Sequence, residues 1–577
     1  MTERISVSDI PRAEYPNPQF ARKNWINLNG EWEFERDRAV SGKAKGLQSV
    51  ASLTDRIIVP FCMESTLSGI GDKDFCECVW YKREITVPES WLEKGKRVFL
   101  HIGACDYKTE VYVNGSFVGD HIGGYISFAI DITSYLGNEK NIITIRAEDR
   151  VRSNNQPAGK QSTRYNSYGC FYTRTTGIWQ TVRLECVPSE YIKGVKYYPD
   201  INDSSLLAVI TANCRYGSRI DAEASFNGKT VGKAFAYVTG GSCAVKIKLD
   251  ELHLWNVGDG KLYDLKLKLG DDEVSSYFGM RSVAAHNGML YINGKRVFQR
   301  LILDQGFYPD GIYTAPSENE LINDITRSMD MGFNGARLHQ KIFEPLFLYH
   351  CDRLGYIVWG EHGSFGLDIS RKNCWEGFIP EWLEALERDF NHPSVIGWCP
   401  LNETQSDQNS QFVSFLVKLT KTIDTTRPVI DASGWHHEPG AETDFIDWHD
   451  YDQNPETFRK RYEDCFNGSP IKLSKHTPFP LMPTFISEYG GIKWDINSEN
   501  KDAWGYGDTP QTPEEFKQRF KGLTEALLFN PHIGGLCYTQ LTDVEQEMNG
   551  LYTYDRKPKF DPEFFKQILS QKAAIED

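Results

Sequence analysis

Two glutamates stand at the ends of apolar runs. In VIGWCPLNET (395–404) an apolar stretch containing Pro400 ends in Asn402, Glu403 and Thr404. In PTFISEYGG (483–491) apolar and β-branched residues lead to Glu488, then to Gly490 and Gly491. Two such carboxyl groups suit cleavage of a glycosidic bond, in which one acid protonates the leaving oxygen and the other serves as nucleophile or base. They are 488 − 403 = 85 positions apart, so only the fold can bring them together. A separation of about 5 Å gives retention through a glycosyl-enzyme intermediate, and repulsion between close carboxylates keeps one protonated while the other ionises. The plainer alternative is that Asn-Glu after an apolar run marks a helix N-terminus.

From about residue 288 the chain alternates strand and helix. Eight strand candidates run in order: 296–303, 332–338, 355–361, 395–403, 428–433, 444–451, 483–490 and 534–541. Amphipathic stretches such as 318–332 and 512–530 lie between several of them, and no clear helix separates the fifth strand from the sixth. This is the rhythm of a (β/α)₈ TIM barrel, whose site lies at the C-terminal ends of its strands. Those ends carry Asp304, Arg337 and His339, Glu361, Asn402 and Glu403, His449 and Tyr451, Glu488, and Gln540. Acids, amides, aromatics and one Arg, with no Cys/His cluster of metal spacing, describe a sugar pocket. Arg337 would hold the nucleophile ionised, and Asn402 would hydrogen-bond the 2-hydroxyl. Glu361 reads equally as an ion-pair partner, and His449 and Tyr451 as packing residues. Trp504, in the Gly-rich AWGYGD loop, is a further substrate-binding candidate or the filler of that loop's own core.

Upstream the pattern is β throughout. Residues 1–186 show short alternating strands, with Asn114-Gly115 as a hairpin signal, and imply a jelly-roll β-sandwich. Residues 187–284 hold about seven more strands, expected to form an immunoglobulin-like β-sandwich, and 285–577 form the barrel. Charged residues are 25% of the chain and the formal charge is −15, which argues against nucleic acid or an anionic membrane as partner. The N-terminus has no apolar targeting segment and no stretch reaches the length of a membrane span. The 13 cysteines read as buried free thiols of a cytoplasmic protein. The sequence permits a homo-oligomer and does not fix the oligomeric state.

The chain resembles glycoside hydrolase family 2 over nearly its whole length. NWINLNGEWEF (24–34), VPFCMESTLSGIG (59–71), TTGIWQTVRLE (175–185) and SYFGMRSV (276–283) carry the likeness before the barrel, and GWCPLNE and FISEYGG carry it within. The resemblance implies Glu403 as acid/base, Asn402 as its substrate-binding neighbour and Glu488 as nucleophile. RLILDQGFYPDG (300–311) and RLHQ (337–340) depart from the family pattern, so Asp304 is expected to contact a hydroxyl where relatives use His. WGEHGSFG (359–366) lacks the magnesium-binding pair of some relatives, so no metal or other cofactor is expected. Glu547-Met548-Asn549 stands before Gly550 where relatives that take uronic acids present Asn-x-Lys. With no cation there, and with Glu545 and Glu547 acidic, a small neutral glycoside or oligosaccharide is expected, a β-galactoside first. A β-mannoside, a furanoside or an L-arabinoside is the alternative, and from another class a catalytically silent carbohydrate-binding protein. Residues 167–179 are expected to reach the barrel mouth through Tyr172 and Arg174.

Overall fold

The computed structural model describes residues 10–467, 482–495 and 501–576. Its first part packs two antiparallel sheets face to face. Four strands (Trp25–Asn27, Val182–Pro188, Lys96–Ile102, Phe128–Asp131) face six (Asp55–Val59, Gly30–Arg36, Cys78–Ile85, Asn141–Glu148, Lys108–Val113, Ser116–Ile122). Phe34, Val79, Tyr81, Val111 and Ile145 from one sheet meet Val98, Leu100 and Leu184 from the other in a dry core. The hairpin at Asn114-Gly115 is present, with φ of 50° and 79°. A two-residue turn needs those positive values to match the twist of its strands.

The second part has three strands (Tyr191–Asp200, Ser205–Asn213, Ser242–Lys248) against four (Lys229–Tyr237, Arg219–Phe226, Tyr263–Leu269, Asp272–Phe278). In YDLKLKL (263–269) every second residue is buried and those between are exposed. That alternation puts Leu265, Leu267 and Leu269 into the core with one face in water.

The third part is the eight-stranded parallel barrel. Its strands are β1 (Gln299–Asp304), β2 (Gly335–Leu338), β3 (Ile357–Glu361), β4 (Val395–Cys399, resuming at Leu401–Asn402), β5 (Ala432–Ser433), β6 (Asp447–Asp450), β7 (Phe485–Gly490) and β8 (Gly535–Thr539). Seven pair in one parallel sheet, and β5 bridges the remaining gap by pairing with Leu401–Asn402. Pro400, which has no N–H to give, divides β4. The helices are α1 (Glu318–Asp330), α2 (Pro345–Leu354), α3 (Cys374–Asp389), α4 (Ser410–Ile423), α5 (Pro455–Phe466), α6 (Pro513–Leu528) and α7 (Pro562–Leu569). One follows each strand except β5, where residues 434–446 run to β6 without a helix. Leu301, Leu303, Ile357, Trp359, Ile396, Phe485 and Cys537 fill the barrel interior. Ile302, Ala336, Val358, Ile486 and Tyr538 face the helices.

The sandwiches are fastened to the barrel by buried polar contacts. Glu381 of α3 accepts the Tyr125 amide (2.7 Å), Thr314 donates to the Trp179 carbonyl (2.6 Å), and Tyr277 donates to Asp352 of α2 (2.8 Å).

Candidate active site

Glu488 owes its position to an irregularity in β7. Phe485 points into the barrel, and Ile486 and Tyr489 point out to the helices. A bulge against β6 pairs Trp448 with Ile486 but His449 with Glu488, so Ser487 and Glu488 both turn inward. A bulge is the usual way to re-aim one side chain without ending a strand. Across the mouth, Glu403 has φ 50°, a conformation that costs a non-glycine residue energy and is concentrated at functional sites. Its amide is tied to the Ser433 carbonyl at 2.7 Å. This left-handed residue breaks the strand alternation and lets consecutive Asn402 and Glu403 both serve the mouth.

The two carboxylates meet. One oxygen of Glu403, one ring nitrogen of His449 and one oxygen of Glu488 all lie within 4.8 Å of one another. His449 stands between them, Nδ1 2.7 Å from Glu403 and Nε2 3.4 Å from Glu488. Arg337 from β2 donates Nη1 to Glu488 (2.9 Å), Nη2 to the Asn402 side-chain carbonyl (2.5 Å) and Nε to Glu361 (2.9 Å). Tyr451 donates to the other oxygen of Glu488 and lies 3.1 Å from the Thr539 hydroxyl at the end of β8. Burial would push the Glu488 carboxyl up, but His449, His339, Arg337 and Lys160 together hold it well below the usual carboxylate range. It is therefore an anion at neutral pH.

Glu361 works underneath this arrangement. One oxygen binds Arg337; the other takes His339 Nδ1 (3.0 Å), the Gln340 amide (3.0 Å) and the Gln340 side chain. It is fully enclosed, so it orients Arg337 and His339 and does not meet a ligand itself. Burial, only partly offset by Glu361, keeps the His339 imidazole below its ordinary pKa. Asn402 Nδ2 has no acceptor among the described residues although it is buried. Its carbonyl is held by Arg337, so the N–H₂ is the part of this side chain left without a partner among the described residues.

Asp304 is not part of the mouth. Leu301 and Leu303 face the barrel interior, so the period of two sends Ile302 and Asp304 to the helix layer. There Asp304 accepts the Gly306 amide (2.8 Å). Burial first, then Asp324, pushes its carboxyl up to about 6, against Arg556 and Lys341. Trp504 lies at the outer rim. Its Nε1 donates to the Gly169 carbonyl (2.5 Å), and its ring meets the edge of Tyr506 at 5.4 Å. Tyr506, in turn, stacks face to face on Tyr451 at 3.4 Å.

Residues 160–175 of the first sandwich form one wall of the mouth. Tyr172 donates to Glu547 (2.5 Å), the Thr173 amide donates to Glu545 (3.1 Å), and Gln546 donates to the Gly169 carbonyl (2.6 Å). Arg174 stays behind, bound to the Arg164 carbonyl (2.6 Å) with its guanidinium 4.0 Å from the Phe75 ring centre. Sequence reasoning missed two residues beside the mouth. Tyr506 was visible as an aromatic between glycines in the AWGYGD loop. Lys160, which enters from a turn of the first sandwich, carries no local signal of its destination.

Among the described residues, Glu403, His449 and Glu488 are the one trio with ligand atoms close enough for a metal ion. A divalent cation there would stand against the Arg337 guanidinium and occupy both carboxylates. By donor type the trio could take an ion; by its surroundings it is already supplied with positive charge. A separate cavity of about 310 Å³, lined by Phe99, His101, Arg183 and Tyr191, lies at the sandwich junction, away from the glutamates.

The chain thus joins two β-sandwiches to a parallel barrel whose mouth brings two carboxyl groups together. Residues 26–184 match the glycosyl hydrolases family 2 sugar-binding domain, 191–281 the glycosyl hydrolases family 2 domain, and 283–492 the family's TIM barrel domain. The chain belongs to glycoside hydrolase family 2. It is 27% identical over 449 residues to a Formosa agariphila protein that carries a β-glucuronidase name (70% of this chain, 52% of that one). It is likewise 27% identical over 380 residues to a β-galactosidase of Thermoanaerobacter pseudethanolicus (62% and 49%). The chain thus spans about half the length of each of these relatives. A β-glucuronidase structure from Lactobacillus rhamnosus superposes with a TM-score of 0.80 at 19% identity, covering 97% of this chain and 99% of that one. No helix among the described residues is long and apolar enough to cross a membrane.

Proposed function

We propose that the protein is a retaining exo-β-glycosidase. Glu488 attacks the anomeric carbon as Glu403 protonates the departing oxygen. Water then enters with Glu403 as base, attacks the same carbon and frees Glu488. The observation that supports this is the 4.8 Å limit on the Glu403–Glu488 oxygens. This oxygen-to-oxygen limit favours the roughly 5–5.5 Å carboxyl separation of retaining enzymes over the ~6.5–9.5 Å that houses an inverting water. Arg337 and Tyr451 keep the nucleophile ionised and aimed. Asn402, whose N–H₂ is unpartnered among the described residues, would bind the 2-hydroxyl, a contact that strengthens as charge develops at the ring. Exo action is supported by the wall that residues 160–175 build with residues 545–547 on one side of the mouth.

The glycone we infer is neutral, a β-galactoside first, with β-mannosides, furanosides and L-arabinosides behind it. Asn549 before Gly550 brings no charge, and its amide is bound to Glu547 at 3.0 Å. A uronide is the second reading, favoured by the Lys160 ammonium at the mouth and by the β-glucuronidase names among the relatives. A panel of nitrophenyl glycosides decides between these. Cleavage of a galactoside and not a glucuronide supports the first, the reverse the second, and binding without cleavage of any would leave a carbohydrate-binding protein. Glu488→Ala should lose nearly all turnover and, with azide, yield the inverted glycosyl azide. Glu403→Ala should lose about 10²–10⁴-fold and be rescued by azide with retention. Interchanged products would reverse the two roles.

A further inference from the structure

Lys160 is a buried cation without a direct counter-charge. It is 6% exposed, and among the described residues its ammonium makes no ion pair within 4 Å. Its neighbours are the Phe365 ring, with the ammonium 5.0 Å from the ring centre, and the Cys170 thiol, a weak acceptor. Burial works against its charge. Cys170, Glu547, Glu403 and Glu488 outweigh that and keep it protonated. Its backbone is not free to move. The Gly159 amide donates to the carbonyls of Gly363 and Phe365, both at 3.0 Å, and the Lys160 carbonyl accepts the Tyr172 amide at 2.7 Å. Gly159 has φ 56°, and a Cβ there would stand 2.3 Å from the Gln340 carbonyl oxygen. Only glycine lets this turn approach the barrel so closely.

Glu547 is its counterpart on the barrel. It is 2% exposed and accepts Tyr172 on one oxygen (2.5 Å) and Asn549 on the other (3.0 Å). A carboxylate has about four lone-pair sites, so two remain. No ion pair joins this ammonium to this carboxylate, yet each acts on the other through space, so a buried donor and a buried acceptor stand near one another unjoined. A sugar hydroxyl is both acceptor and donor, and its chemistry suits such a pair.

We propose that Lys160 of the first sandwich and Glu547 of the barrel together clamp hydroxyl groups on the glycone, on the side of the ring away from the anomeric carbon, and so select a neutral polyol face. This rests on the glycosidase reading and assigns two specificity-determining residues to it. A carboxylate bound by the pair would gain Lys160 but meet Glu547, so the pair favours hydroxyls over a uronic acid.

The test uses the full chain with Lys160→Met and the near-isosteric Glu547→Gln, each checked for unchanged circular dichroism and melting. Substrates are the best-cleaved nitrophenyl glycoside and its singly deoxygenated analogues. Loss of a hydrogen bond from a charged group should lower kcat/KM of Lys160→Met about 10- to 100-fold. That penalty should shrink to under about 3-fold for the analogue lacking the clamped hydroxyl. Glu547→Gln should show the same pattern more weakly. An equal penalty on every analogue, or a penalty confined to uronides, overturns the clamp. Calorimetric binding of a glycone-shaped iminosugar to wild type and Lys160→Met needs no turnover. A wild type that binds it through Lys160 but cleaves nothing would sink the glycosidase reading and leave the clamp standing; loss of neither binding nor specificity sinks the clamp alone.

Discussion

Tyr451 and Arg337 divide the Glu488 carboxylate between them, one donor on each oxygen. An anion fixed this way keeps its charge at low pH and one lone pair directed at the ring. Tyr451→Phe removes a donor to a charged group and should lower kcat about 10- to 100-fold. It should also move the acid limb of the pH–kcat/KM profile upward, because the carboxyl is then less strongly depressed; an unchanged acid limb would show that Tyr451 only packs. Glu361 makes a different prediction, because it touches Arg337 and His339 and no reacting atom. Glu361→Gln should leave the azide products of the Glu488→Ala background unaltered while lowering kcat/KM through a displaced Arg337. At this scale the sequence revealed residue types and strand ends, hence Glu403, Glu488, Arg337, His449 and Tyr451. It misplaced Asp304 because a one-residue difference in where β1 ends exchanges inside for outside, and a strand tip alone does not reveal that parity.

The elements that hold these residues are less regular than their sequence pattern. Strands β1 to β8 appear in the expected order, yet β5 is only two residues long and has no helix after it. The bulge in β7 could not be read from FISEYGG, since it depends on register against β6. Glycines mark where backbone and site are pressed together. Gly434, just after β5, has φ 101°, and a Cβ there would lie 2.4 Å from the His449 ring. Gly434→Ala therefore strains the backbone, at a cost of about 1–3 kcal/mol, and pushes His449 from between the two carboxylates. The expected result is a fall in kcat at temperatures well below melting, with substrate binding less affected. Normal kcat with a lowered melting point would mean that His449 adapts and that its placement is not needed. Gly491 makes the same point on the other side. Its φ is 58°, and a Cβ would press on Tyr506 and Tyr451, the stacked pair beside Glu488.

Across the whole molecule, the site is complete only because the first sandwich is held in register with the barrel. Lys160, Tyr172 and Thr173 all cross to it, and the sandwich is steadied in turn by Arg22. That guanidinium, 7% exposed, binds Glu185 of the first sandwich at 2.9 Å and Asp272 of the second at 2.8 Å, and donates to the Ile192 carbonyl at 2.6 Å. Composition could not reveal this junction, because its partners lie 163 and 250 positions from Arg22. Burial would raise the Glu185 carboxyl, but His101, Arg22 and Arg183 bring it down from 4.5 to about 2. A depressed carboxyl adds stability that is fully present above its unfolded pKa and is lost as pH falls through the folded one. The span from 4.5 to about 2 corresponds to about 3 kcal/mol. Urea unfolding of the wild type should thus show stability falling between about pH 4.5 and pH 2. Arg22→Met leaves two buried carboxylates without their shared cation and should cost about 3–5 kcal/mol at pH 7. Its stability should fall less steeply over the acid range, because Glu185 is then less depressed. If Lys160 depends on this junction, the same variant, assayed well below its melting point, should raise KM more than it lowers kcat. Equal acid slopes in the two proteins would show that Arg22 is not what ties the sandwiches together, and an unchanged KM would show that the Lys160 turn is held by the barrel alone.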